Sequence, residues 1–395
     1  MNRPIPRHNV NLSSDELKLV MAGAIGRGEH AGGRERFEAA AARYFGVPHA
    51  IAVESGRTAL HLALLGLDLP DNATVVLPSY CFFSLVKVVE GMGYTPRFAP
   101  VDPATFALCP KGLVDHLPGA DAVVVIQPFG QMADMESLQS MTALLGIPLI
   151  EDASQSTGAR WGRHRAGSIG DVGVFSLVSG KNLQTFGGGL LLTHRADVAR
   201  AVNVRLSGST THDSDHAAAA FRAGLQRWFL TTPIGYQTVM HPLTRALAVV
   251  APSALENMLY EERASYDPDR RIHRLSDAQG ALGCLGLAAL DHRNAIRRAN
   301  ALRMIDGLQG VHGLHLPTFD SRSENSFNAV AVRCNAADHL TRALQKRGFD
   351  TRSDYMEWLG PRADFDEPVI YLPNHPGMTA RDIDRLVAAV RLALN

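Results

Sequence analysis

With 395 residues and a mass of 42.7 kDa, the chain has room for two or three domains at roughly 150 residues each. Its 46% apolar and 20% charged residues match an ordinary globular protein and exclude disordered and fibrous classes. Lys+Arg and Asp+Glu both number 39, so a net charge of zero supplies no long-range field to gather nucleic acid or an anionic membrane.

The chain opens with two helical signals. Ser13-Ser14-Asp15-Glu16 caps the apolar-rich LKLVMAGAI, and 35–45 repeats apolar residues at spacings of three and four. Short apolar runs follow at 49–53, 74–77, 95–98, 122–126, 148–150, 172–177 and 189–193, with amphipathic stretches at 58–67, 84–92 and 136–145 between several of them. Apolar strands alternating with helices predict a mainly parallel α/β sheet covered on both faces. Beyond 195 the pattern changes. Residues 196–206 read as a helix, 207–217 as a polar loop, and 221–259 as short helices broken at Pro233, Pro242 and Pro252. An Ala- and Leu-rich helix over 275–308, strands at 329–333 and 350–352 around a helix at 339–346, and a terminal amphipathic helix over 379–394 complete the chain. The domain change falls near 255–270, giving a large α/β domain over 1–260 and a smaller C-terminal α+β domain over 261–395.

Of the five lysines, Lys18, Lys87, Lys111 and Lys346 sit where a solvated surface group is the simplest reading. Lys181 lies instead between the apolar runs DVGVFSLVS and GGGLLLT. It is either a surface turn residue or a desolvated amine available for Schiff-base chemistry. Upstream, PLIED is an apolar strand ending in two carboxylates, and ligands of open α/β sheets gather at strand carboxyl ends. Consecutive strand residues face opposite ways, so Glu151 and Asp152 have different roles. A strand-end aspartate with a later lysine is what pyridoxal phosphate requires, the lysine for its aldehyde and the aspartate for its pyridine nitrogen. Read by itself, Asp152 is a helix cap. Ser55-Gly56-Arg57-Thr58, a glycine turn from strand into helix, supplies a phosphate cradle, and Ser176 and Ser179 add hydroxyls.

The stretch IEDASQSTGARWGRHRAGSIGDVGVFSLVSGKNLQTFGGGLLLT resembles the central signature of the DegT/StrS aminotransferases. The likeness runs through nearly the whole chain: ERFEAAAARYFGVPHAIAVESGRTALHLAL, VLPSYCFFSLVKVVEGMGYTPRFAPVD, RLSDAQGALGCLGLAAL and YLPNHPGMTARDIDRL follow in family order. The resemblance implies a fold-type-I architecture, pyridoxal 5'-phosphate as cofactor, and a homodimer with shared active sites. By position, Lys181 matches the Schiff-base lysine, Asp152 the partner of the pyridine nitrogen, Gln155 the glutamine beside the ring hydroxyl, and Phe82 the stacking aromatic. Ser176 matches a phosphate ligand, and Gly56, Arg57 and Thr58 the phosphate turn. The implied reaction moves an amino group from an amino acid, L-glutamate first, to a nucleotide-linked keto-sugar. The alternatives are a non-sugar natural-product acceptor, another reaction of the same cofactor, or an inactive regulatory or structural member. The chain departs from the family pattern at Arg57, at Ser207-Gly208, at Gly187 and at Ile272. Its lysine separates it from the family's sugar dehydratases, which carry a histidine there.

Other signals carry less. Cys81, Cys109, Cys284 and Cys334 form no CxxC pair, against a zinc ribbon or a disulfide scaffold. The N-terminus has no signal-peptide core and no run of 18 apolar residues exists, so the expectation is a cytoplasmic protein with no membrane span. His212-Asp213-Ser214-Asp215-His216 has metal-ligand residue types but reads as a solvated loop, so no metal is expected. Gly187-Gly188-Gly189 precedes a strand and is no dinucleotide fingerprint. Residues 228–250 are richer in apolar side chains than a sugar site requires, and pack best as helices on the large domain or at a subunit contact. Arg205, Arg274 and Arg352 are each either donor-carboxylate ligands or surface ion pairs.

Overall fold

A computed structural model describes residues 3–28, 30–209, 214–250, 266–353, 356–360 and 367–394. Helices α1 (Ser14–Ala24) and α2 (Gly33–Phe45) precede strand β1 (His49–Val53) and helix α3 (Gly56–Gly66). Then come β2 (Thr74–Pro78), α4 (Phe83–Gly91), β3 (Thr95–Ala99), β4 (Ala122–Ile126), α5 (Met135–Leu144), β5 (Leu149–Asp152), β6 (Val172–Ser176) and β7 (Gly189–Thr193). These seven strands form one sheet in the order β1-β7-β6-β5-β4-β2-β3. The steps from β6 through β5, β4 and β2 to β3 are parallel, while β7 is antiparallel to both β6 and β1. The expected mainly parallel sheet is present, with one reversed strand.

Side-chain alternation divides the core between the two faces. Val123 and Val125 of β4 join Leu190, Leu192, Phe37 and Met135 on one side, while Val124 and Ile126 join Leu191, Leu62 and Val88 on the other. Each such fully buried aliphatic side chain contributes about 1.5–3 kcal/mol. Burial on both faces is why these strands read as unbroken apolar runs.

The chain continues through α6 (Ala196–Arg205), α7 (Ser214–Thr231), α8 (His241–Val250) and α9 (Asp277–Leu308). Pro233 does end a helix: Thr232 caps the next turn, accepting from the Gly235 amide at 3.1 Å. Pro242 does not break the chain there: it follows directly on a π-helical turn, Tyr236–Met240, closed by the His241 amide donating to Tyr236 O, and the helix runs on into α8. Pro252 lies outside the described residues, as do His212 and Asp213 of the 212–216 motif. Among the described residues no cluster of three metal-ligand side chains occurs, and no helix is long and apolar enough to cross a membrane.

The C-terminal part builds a second, antiparallel sheet from β8 (Leu314–His315), β9 (Val330–Cys334), β10 (Arg352–Ser353) and β11 (Val369–Leu372), in the order β8-β9-β11-β10. Helices α10 (Ala337–Lys346) and α11 (Ala380–Leu394) cover it. Ile5 belongs to this core: its amide donates to Gly348 O at 2.7 Å and its carbonyl accepts from Asp350 N at 2.9 Å. The extreme N-terminal segment is therefore stitched to the C-terminal sheet.

Candidate active site

Because β7 is antiparallel to its two neighbours, β1 runs in the same direction as β2, β4, β5 and β6. Their carboxyl ends share one edge of the sheet, where ligands of such sheets bind. The segments 54–58, 79–82, 127–131, 152–155 and 177–181 all leave from that edge.

Lys181 and Phe82 meet there, with the lysine Nζ 5.5 Å from the centroid of the Phe82 ring. Asp152 is the last residue of β5 and only 6% exposed. No helix follows it; residues 154–158 are turns, and one carboxylate oxygen accepts the Ser154 amide at 2.9 Å. Its negative charge, after burial, also helps push the Cys81 thiol far up, which places Cys81 on the same edge. Glu151 points the other way, into the fold. Its carboxylate accepts three backbone amides, from Gly167 at 2.9 Å, Ile169 at 2.6 Å and Gly170 at 2.7 Å. Burial still raises its pKa against the pull of those donors. The two neighbouring carboxylates thus divide as strand geometry requires.

Gln155 is 2% exposed. Its Oε1 accepts the Phe129 amide at 2.6 Å, while its Nε2 has no partner. Phe129 holds that pose in the left-handed region, at φ 56°. A buried donor left unpaired costs about 1–3 kcal/mol and asks for an acceptor.

The turn at Gly56 opens α3, with Ser55 as its cap: the Ser55 hydroxyl accepts the Thr58 amide at 3.1 Å. The first N–H groups of a helix have no intrahelical acceptor, which favours an anion there. Gly56 lies against Ser176, and a Cβ added to it would stand 2.9 Å from Ser176 Cβ. Ser176 is set by β6 and by its own amide, which donates to Ser154 Oγ at 2.9 Å. Thr58 is in the turn but fully buried, with its hydroxyl engaged by Glu54 (3.0 Å), Ser55 (2.9 Å) and Arg270 (3.0 Å). It braces the turn and has no hydroxyl hydrogen to spare. Arg57, half-buried at the same turn, adds a positive charge felt by the Tyr266 hydroxyl.

Several residues at this edge have no local sequence signal. His8 comes from the N-terminal segment: a Cβ on Gly180 would lie 3.5 Å from its Cγ, and its ring meets Tyr371 edge-on at 5.6 Å. Burial, then the charges of Arg7 and Lys181, hold its imidazole well below the ordinary value, so it is neutral. Asn328 and Tyr371 arrive from the C-terminal sheet. Only Asn182 was findable beforehand, by adjacency to Lys181. Of the three arginines weighed for a carboxylate, Arg352 is register partner to Tyr371, and Arg274 donates to Asn203 at 3.2 Å.

The profile of the DegT/DnrJ/EryC1/StrS aminotransferase family matches residues 17–267 and 272–391. The dTDP-3-amino-3,4,6-trideoxy-alpha-D-glucose transaminase of Streptomyces venezuelae is 27% identical over 98% of this chain and 95% of its own length. GDP-perosamine synthase of Caulobacter vibrioides is 35% identical over 90% of this chain and 88% of its own. Among solved structures, S. venezuelae DesV, crystallised in complex with a ketimine intermediate, superposes with a TM-score of 0.74 at 26% identity, covering 100% of both chains. Aminotransferases of this kind generally use pyridoxal phosphate, and the central sheet here carries their fold-type-I arrangement. The chain belongs to the DegT/DnrJ/EryC1/StrS aminotransferase family.

Proposed function

We propose that this protein is a pyridoxal-phosphate-dependent aminotransferase that takes an amino group from L-glutamate and delivers it to a nucleotide-linked keto-sugar. The observation that carries the cofactor is the meeting of Lys181, Phe82, Asp152 and the unpaired Gln155 Nε2 on one sheet edge. A planar, anionic group with a ring oxygen and a ring nitrogen fits those side chains. The activities of the relatives in Streptomyces and Caulobacter support the sugar-nucleotide acceptor.

When bound, the cofactor supplies an electron sink for the carbanion formed at the amino-acid Cα. The chain's residues do the rest. Phe82 would stack against the ring, Gln155 Nε2 would donate to the ring oxygen, and Asp152 would hold a proton at the ring nitrogen. Gly56, Arg57 and the start of α3, with the Ser176 hydroxyl, would take the phosphate; Thr58 braces that turn. Lys181 would hold the cofactor through its aldehyde carbon and, once released as a free amine, would take and return the proton at the donor Cα. Two half-reactions at one lysine imply ping-pong kinetics. We also assign a homodimer with shared sites, and a division near residue 260 between the large and small domains. Incubating the protein with pyridoxal phosphate, 15N-glutamate and a panel of nucleotide-linked keto-sugars tests this by mass spectrometry. A 15N-amino-sugar nucleotide is the expected product; labelled amine in none of the panel would move the acceptor outside sugar nucleotides.

A further inference from the structure

Lys181 sits on the turn between β6 and β7, and within that turn the lysine is weakly held. Its own amide reaches Val178 O at 3.3 Å, and Gly180 N reaches Gln184 Oε1 at 3.2 Å. The residues on either side of it are held from elsewhere by a single side chain. Asn328 Nδ2 donates to Gly180 O at 3.1 Å and to Asn182 Oδ1 at 3.0 Å. Its Oδ1 accepts the Tyr371 hydroxyl at 2.8 Å. Both N–H donors and the carbonyl are thereby used, and the carbonyl of Gly180, which only accepts, fixes which way the amide faces. Asn182 passes the restraint on, donating to Asn294 Oδ1 at 3.0 Å, and Asn294 donates to Thr157 O at 2.9 Å. Asn182, Asn328 and Tyr371 are 3%, 5% and 1% exposed, so no water replaces a lost partner cheaply.

Resting on the aminotransferase reading above, we propose that Asn328 is a positioning residue for Lys181. It straddles the lysine, spans from the edge of β9 to the β6–β7 turn, and leaves the ammonium alone to reach across Phe82. The position of the reactive amine is thus set by the C-terminal sheet, through Tyr371 of β11, and not by its own turn. Asn328 touches no reacting atom. Its effect is geometric, and a misplacement near 1 Å at such a site costs on the order of 100-fold in rate.

The test compares full-length wild type, Asn328→Ala, Tyr371→Phe and Asn374→Ala, each loaded with pyridoxal phosphate. Asn374 is an equally buried asparagine of the same core, bonded to Arg297 O and Phe327 O and not to the lysine turn. The readouts are the fraction of bound cofactor attached to Lys181, trapped with borohydride and located by mass, the thermal midpoint without cofactor, and kcat and KM for the donor. Asn328→Ala should lose attachment and about 100-fold in kcat with little change in KM. Tyr371→Phe, which removes one hydroxyl and keeps the ring, should move the same readouts less and covers the case in which Asn328→Ala does not fold. Asn374→Ala should lower only the thermal midpoint. Normal attachment in Asn328→Ala and Tyr371→Phe, or equal loss in Asn374→Ala, overturns the assignment. A wild type that attaches no cofactor overturns the aminotransferase reading together with it.

Discussion

Gly56→Ala probes the phosphate cradle by adding one methyl group. Its Cβ would stand 2.9 Å from Ser176 Cβ and 3.1 Å from Ser176 Cα. Non-bonded carbons settle at about 3.5–4.0 Å, so the start of α3 and the end of β6 must part by roughly 0.6–1.1 Å. Ser176 cannot readily retreat, being paired in register with Gly189 of β7. The helix start therefore moves, and with it the N–H groups aimed at the anion. Such overpacking costs about 1–3 kcal/mol, which corresponds to about 5- to 150-fold in binding if it falls on the bound state. Equilibrium titration of the apo protein separates the phosphate from the ring. The Kd for pyridoxal phosphate should rise within that range, while pyridoxal, lacking the phosphate, should bind as it does to wild type. Unchanged pyridoxal phosphate affinity would remove the cradle from this turn, and equal weakening of both ligands would show that Gly56 serves the ring pocket or the fold instead.

Asp152→Asn should keep the fold and lose turnover. Two charges about 4 Å apart interact by about 4 kcal/mol at an effective dielectric of 20, roughly a 1,000-fold effect, and normal kcat would remove the carboxylate from the mechanism. Its neighbour gives the opposite result: Glu151→Gln should lower unfolding free energy in urea by about 1.5–3 kcal/mol, through weakened bonds to Gly167, Ile169 and Gly170, with turnover per folded molecule unchanged. Stability should also fall with acid. Burial lowers His61 to about 4 and His375 to about 3, so below the ordinary value of 6.5 the unfolded chain takes protons that the folded one refuses. Each of these histidines costs up to about 1.4 kcal/mol per pH unit once the unfolded imidazole is mostly protonated, and urea unfolding between pH 6.5 and 5 should show a loss of about 3 kcal/mol; a flat profile would contradict it.

The seven strands of the main sheet were legible because burial on both faces writes them as short apolar runs, and every one appears within a residue or two of its expected place. The reversal of β7 was not legible. Its sequence GLLLT is as apolar as its parallel neighbours, and direction depends only on the length and path of the Lys181 turn. The proline rule misled at Pro242, since nothing in the sequence announces the π-helical turn at Tyr236–Met240 that precedes it and carries the helix on into α8. In the site, Lys181, Asp152 and the Gly56 turn announced themselves by position at strand ends. His8, Asn328 and Tyr371 could not, because what brings them to Gly180 is the docking of both chain ends on the C-terminal sheet. Strand β10, expected at 350–352, forms at Arg352–Ser353, because the Asp350 amide is taken by Ile5 O and so belongs to the N-terminal seam.

The central claim is that Lys181 carries the cofactor and exchanges it with an amino acid. It is tested most directly by the absorbance spectrum of purified protein with pyridoxal phosphate, before and after L-glutamate. The expected result is a band of lysine-attached cofactor that glutamate bleaches to the amine form, and its absence in Lys181→Ala. No attached band in the wild type, or the same band in Lys181→Ala, would contradict it.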